Sequence, residues 1–164
     1  MEKNKKFTIF SIGILFGAFF PYGIWNLVYK VLERVLFNTD FNTFLASGIA
    51  AYTGAIFTIF CFSRISDYLM QFDYSDIFEV KKAFWLGILA NGGLFLIWFL
   101  IPLIDGLLGQ GYMDNLNNAY QTLDSNFILG KITINQGSSF LCFFGIVVLI
   151  YKKINTRPAK SVTS

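Results

Sequence analysis

Three stretches of this sequence, Phe7–Tyr29, Phe44–Phe62 and Ala83–Ile104, contain no Asp, Glu, Lys or Arg and are almost wholly apolar. Each reaches the ~20 residues that an α-helix needs to cross the hydrocarbon layer of a bilayer. Lipid offers the backbone no hydrogen-bond partner, so a spanning segment must satisfy its own peptide groups as a helix or close into a barrel. The period-2 alternation of a membrane β-barrel is absent, which leaves helices. A fourth segment, Ile134–Tyr151, begins weakly with Asn135, Gln136, Gly137, Ser138 and Ser139. From Phe140 it is strongly apolar, and it ends in Tyr151-Lys152-Lys153, an aromatic and cationic anchor. Composition agrees with four spans: charged residues make up 14% of the chain, against roughly 25% in soluble domains. The expected fold is an all-α integral membrane protein, with one four-helix domain over residues 1–151 and a basic, disordered tail over 152–164.

Lys and Arg in the flanks set the orientation. One side of the four spans collects Lys3, Lys5, Lys6, Arg64, Lys81, Lys82, Lys152, Lys153, Arg157 and Lys160, and the other only Lys30, Arg34 and Lys131. Both termini are expected in the cytoplasm, and Ile, Phe, Asn and Lys usage fits a bacterial inner membrane. The opening lysines and apolar run resemble a signal peptide. The run continues past Pro21 to Tyr29 with no small-residue cleavage site, so an uncleaved first span is expected.

The connections carry their own pattern. Val28, Val31, Leu32 and Val35 share a face and extend the first helix to about Phe37, with Lys30, Glu33 and Arg34 on its other sides. Between spans two and three, Ile65, Leu69 and Phe72 continue the helix inward, and Asp76 with Glu79 resembles a capping box that starts the next one. A cytoplasmic helical hairpin follows, with its turn at Asp73-Tyr74-Ser75. Tyr68, Met70, Phe72, Tyr74 and Asp76 on it form the expected surface for a cytoplasmic protein partner. Between spans three and four, Met113, Leu116, Tyr120, Leu123 and Phe127 recur at helical spacing opposite Asp114, Asn115, Asn117, Asn118, Gln121 and Asp124, which predicts a short outer amphipathic helix.

The residues that would carry chemistry are missing. The chain has no His, the commonest metal ligand and general base near neutral pH. Cys61 and Cys142 fall at different depths, out of disulfide reach, and no phosphate loop, metal-ligand cluster or nucleophile–base pair occurs. With no ionisable residue inside a span, proton-coupled transport and voltage sensing are disfavoured. No enzyme activity, cofactor or direct nucleic-acid partner is expected. The spans do carry small residues at helical spacing: Gly13 and Gly17 in the first, Ala51, Gly54 and Ala55 in the second, Gly87, Asn91 and Gly92 in the third, and Gly145 in the fourth. Small residues let helices approach closely in lipid, so these predict helix packing and homo-oligomerisation, with Asn91 hydrogen-bonded across helices. Lys152, Lys153, Arg157 and Lys160 are expected at anionic lipid headgroups.

In size and plan the chain resembles the small four-span membrane subunits paired with a cytoplasmic effector in bacterial phage-defence systems such as the Kiwa type, a likeness of topology alone. It implies a non-enzymatic membrane sensor or scaffold for a cytoplasmic partner. The second reading is a small homo-oligomeric channel or uncoupled transporter, with Asn91, Ser138 and Ser139 along its path.

Overall fold

The computed structural model describes residues 2–39, 41–126, 129–130 and 132–155. Among these the chain is all-helical, with four helices long and apolar enough to cross a membrane. The first is continuous from α1 (Glu2–Ile14) through a π-helical turn (Leu15–Phe19) into α2 (Phe20–Phe37). Then come α3 (Thr43–Leu69), α4 (Ile77–Leu107), the shorter α5 (Gln110–Ser125), a second π turn (Ile132–Gln136) and α6 (Gly137–Asn155). The two ends of the bundle differ. At one, α5 lies over the termini of α2, α3 and α4; at the other, the α3–α4 hairpin meets the beginning of α1 and the end of α6.

Local chemistry explains the boundaries. Asn42 caps α3, its side-chain oxygen accepting from the N–H groups of Phe44 and Leu45 at 3.0 and 3.2 Å. Asp76 caps α4 by accepting from Phe78 N–H at 3.0 Å. The reversal from α4 into α5 passes through Gly109 at φ 93°, a left-handed conformation that glycine adopts without steric penalty. The π turn at Leu15–Phe19 has a covalent cause. Pro21 has no N–H, and its ring would collide with the carbonyl one turn back. The helix widens instead, and Phe20 N–H reaches Leu15 O, five residues back.

α3 is the central helix. It packs along α2 and against α6, and its seam of Ala46, Ser47, Ala50, Ala51, Ala55 and Thr58 is wholly buried. α4 lies against α1 and α2. The outward surfaces are apolar, with Ile56, Phe57 and Phe60 exposed on α3, Phe95, Leu96 and Phe99 on α4, and Phe140, Phe143 and Phe144 on α6.

Candidate functional site: a sealed carboxylate under the α5 cap

Two carboxylates lie buried where α5 crosses the bundle. Glu33, near the end of α2, is 1% exposed. Tyr29, one turn earlier on α2, donates its hydroxyl to Glu33 Oε1 at 2.5 Å, and Ser47 on α3 donates to the same oxygen at 3.0 Å. Tyr120 on α5 donates to Oε2 at 2.8 Å. Three helices therefore meet at one side chain, each through a neutral hydroxyl, and no cation pairs with Glu33 among the described residues. Asp105, at the end of α4, forms a second knot. Arg34 Nε donates to both of its oxygens, at 3.0 and 2.8 Å, and Tyr112 on α5 donates to Oδ1 at 3.1 Å. Burial pushes the Tyr120 phenol well above its ordinary value, and the Glu33 carboxylate beside it adds to that. Burial and Asp105 raise Tyr112 in the same way. Both phenols therefore stay protonated and keep donating throughout the physiological range.

Apolar contacts complete the cap. Phe37, Ala46 and Leu116 form a buried cluster, and the Tyr120 ring meets Phe37 edge-on at 5.2 Å. Beside Glu33 lies a cavity of about 320 Å³, with Tyr29, Ser47, Tyr120, Asp124 and Asn135 in its wall. Asn135 Oδ1 is buried there without a hydrogen-bond partner. Lys30 also borders the cavity, but its ammonium stands over the Trp98 ring of α4, 5.7 Å from the centroid.

The sequence reading missed this site. It extends the first helix to about Phe37 but leaves Glu33 and Arg34 on its outer sides, and it ends the third span at Ile104 with Asp105 in the outer connection. The first helix does end at Phe37, α4 runs on to Leu107, and α5 buries what lies at both ends. Two signals pointed to it. Tyr29 and Glu33 stand one helical turn apart, on one face. Tyr120 falls in the apolar stripe of α5, and a buried phenol needs a partner.

The expected packing residues are distributed unevenly. Ala51 and Ala55 are fully buried. A Cβ on Gly54 would stand 3.2 Å from Trp25 O, so α2 and α3 approach backbone to backbone there. Gly87 faces Leu15 and Phe16, and Gly145 faces Ile59. Gly13, Gly17 and Gly92 face open space within the chain. Asn91 donates to Leu15 O, in the π turn of the first helix, at 3.2 Å and to Gly87 O at 2.8 Å.

At the hairpin end, Tyr68, Met70 and Asp76 are exposed, and Tyr74 is half-buried with its hydroxyl on Leu69 O. Phe72 departs from its expected place on the partner surface. α3 stops at Leu69, and the longer turn folds Phe72 back onto Ile12, Phe16, Val80 and Ala83. Lys153 likewise departs from the headgroup reading. Its ammonium donates to Ser63 O and Asp67 Oδ1, both at 2.6 Å, and to Ser66 Oγ at 2.5 Å, which ties α6 to α3. Lys152 lies in the last turn of α6, while Arg157 and Lys160 fall outside the described residues. Cys61 and Cys142 are both free thiols, and no group of three metal-ligating side chains occurs among the described residues. Comparison with known proteins gives no match, whether to a family model, a curated protein or a solved structure.

Proposed function

We propose that this chain is a non-enzymatic, multi-pass subunit of a bacterial inner membrane that senses a condition on the outer face and passes it to a cytoplasmic protein. The observation that carries this reading is Glu33. A single buried carboxyl group links α2, α3 and the α5 cap through hydroxyl donors. A buried polar network of this kind depends on all its members, because each unpaired buried group costs about 1–3 kcal/mol. Lifting α5 therefore disturbs α2 and α3 together, and both helices continue to the opposite end of the bundle. Four long apolar helices with phenylalanine-rich outer surfaces support membrane insertion. The excess of Lys and Arg on the hairpin side supports cytoplasmic termini.

In this reading the exposed Tyr68, Met70 and Asp76 of the hairpin receive the cytoplasmic partner, and the open faces of Gly13, Gly17 and Gly92 meet a second copy of the chain. The likeness in plan to phage-defence membrane subunits makes an envelope disturbance the input we favour. Asn91 and Ser138 direct their polar hydrogens to helix carbonyls, which supports packing over a permeation path.

The test is topological. Cysteine placed at Gln121 on α5 or at Gln71 in the hairpin, in a Cys61→Ala/Cys142→Ala background, is labelled in intact cells with a membrane-impermeant maleimide. Labelling at Gln121 alone is expected. Labelling at Gln71 alone would reverse the orientation and overturn the assignment of α5 as the outer sensing element.

A further inference from the structure

A second cavity, of about 370 Å³, is a groove between the first helix and α4. Phe19, Gly23 and Asn26 stand on one side of it and Asn91, Phe95 and Trp98 on the other. Each set steps by four and then three residues, so each is a single helix face. The helices touch at Gly23, where an added Cβ would stand 3.2 Å from Leu94. Phe19 and Phe95 are exposed, so the groove opens to the surrounding lipid. At its α5 end the half-buried Asn26 amide makes no hydrogen bond among the described residues. Lys30 lies one turn beyond Asn26 on the same face and makes no ion pair among the described residues. Its ammonium stands over the exposed Trp98 ring, because helical side chains lean back toward the N-terminus. From Phe19 to Lys30 the helix rises by eleven residues, about 16 Å. That is the hydrocarbon depth of one leaflet, half of the ~30 Å layer.

We propose that this groove binds a phospholipid of net negative charge from the leaflet on the α5 side. Lys30 holds the phosphate, Asn26 donates to a glycerol-ester carbonyl, and an acyl chain lies along Phe19, Gly23 and Phe95. Charge complementarity names the occupant. An amide left without a partner in hydrocarbon is costly, and an ammonium without a counter-ion at the membrane surface attracts an anionic headgroup. An apolar helix face of a second copy would satisfy neither group. A zwitterionic lipid would bring a second cation beside Lys30 and fits less well. The inference goes beyond the sensing reading and holds whichever way α5 faces, because both leaflets of a nanodisc share one composition.

The experiment uses the full chain in phosphatidylcholine nanodiscs, with Trp85→Phe so that Trp98 is the remaining exposed indole. Phosphatidylglycerol or phosphatidylcholine with brominated acyl chains is added at rising fractions, and quenching of the Trp fluorescence is followed. Half-quenching is expected at a lower fraction of phosphatidylglycerol, on the order of fivefold, the effect of one lysine near an anionic surface. Lys30→Met should bring the two lipids level, and Lys30→Arg should keep the preference. Lys30→Gln is read in the same way where Lys30→Met does not fold. Asn26→Leu should weaken phosphatidylglycerol several-fold by removing an N–H donor. Equal quenching by the two lipids in the Trp85→Phe chain would overturn the proposal, as would a preference that survives in folded Lys30→Met or full affinity in folded Asn26→Leu. Quenching by neither lipid would mean that a second copy covers the groove, and would overturn it too. Reversed labelling at Gln121 and Gln71 would leave the quenching result unchanged, so the two readings fail separately.

Discussion

The two ends of this bundle are held together by different physics. At the α5 end, buried carboxyl groups gather hydroxyls and one guanidinium from α2, α3 and α5, with Glu33 1% exposed and Asp105 5%. At the hairpin end, apolar contacts of Phe72, Val80, Ala83, Ile12 and Phe16 form the core, and the ion pairs sit at the edge. Asp67 in the Lys153 pair keeps 56% of its side chain exposed. Apolar packing tolerates gradual repacking, whereas a buried polar network is either complete or costly. The α5 end is therefore the part of the molecule suited to two discrete states.

Substitutions should separate the ends in a fixed order. The largest effect is expected from Arg34→Leu, which leaves Asp105 buried without its cation and should destabilise by about 3–5 kcal/mol. The double variant Arg34→Leu/Asp105→Leu should recover much of that in denaturant titration, since the loss comes from the stranded charge. Next comes Phe72→Ala at the hairpin end, at about 3 kcal/mol from lost burial and a residual cavity. Its effect should be graded and local, with hydrogen exchange raised in the hairpin and unchanged in α5. Gly54→Ala should cost about 1–3 kcal/mol, because its Cβ would press on the Trp25 carbonyl and the α2 backbone has to move. Gly92→Ala has open space around it and should be neutral within the monomer; altered assembly size on a column would place Gly92 in a contact between copies. Smallest is Asp67→Asn, at about 0–1 kcal/mol, since it removes only the exposed carboxylate of the Lys153 pair while the bonds to Ser63 and Ser66 remain.

The four long helices were legible in the sequence because absence of charge over some twenty residues is a local property. The cap at Asp76 is local too. Glu33 was not legible as a buried group, since its burial depends on α5 folding back from more than seventy residues away. By sequence it is one of three charged residues at the end of a helix. Its partner Tyr120 looked like one more apolar position in an amphipathic stripe. Asn91 shows the same division. Its polarity within an apolar run was evident, but its partner, Leu15 O, lies in the turn that Pro21 widens in another helix. Phe72 was misplaced by extending α3 three residues too far, which turned an inward ring outward.

Hydrogen exchange along α5 in nanodiscs, compared between the natural chain and Glu33→Leu, tests the central claim most directly. Leu removes the acceptor of three hydroxyls while filling the same buried space. The account predicts that α5 loses its protection while α4 and the hairpin keep theirs. Unchanged protection of α5, with the protein folded and Tyr120 left without an acceptor, would show that the Glu33 knot does not hold the cap.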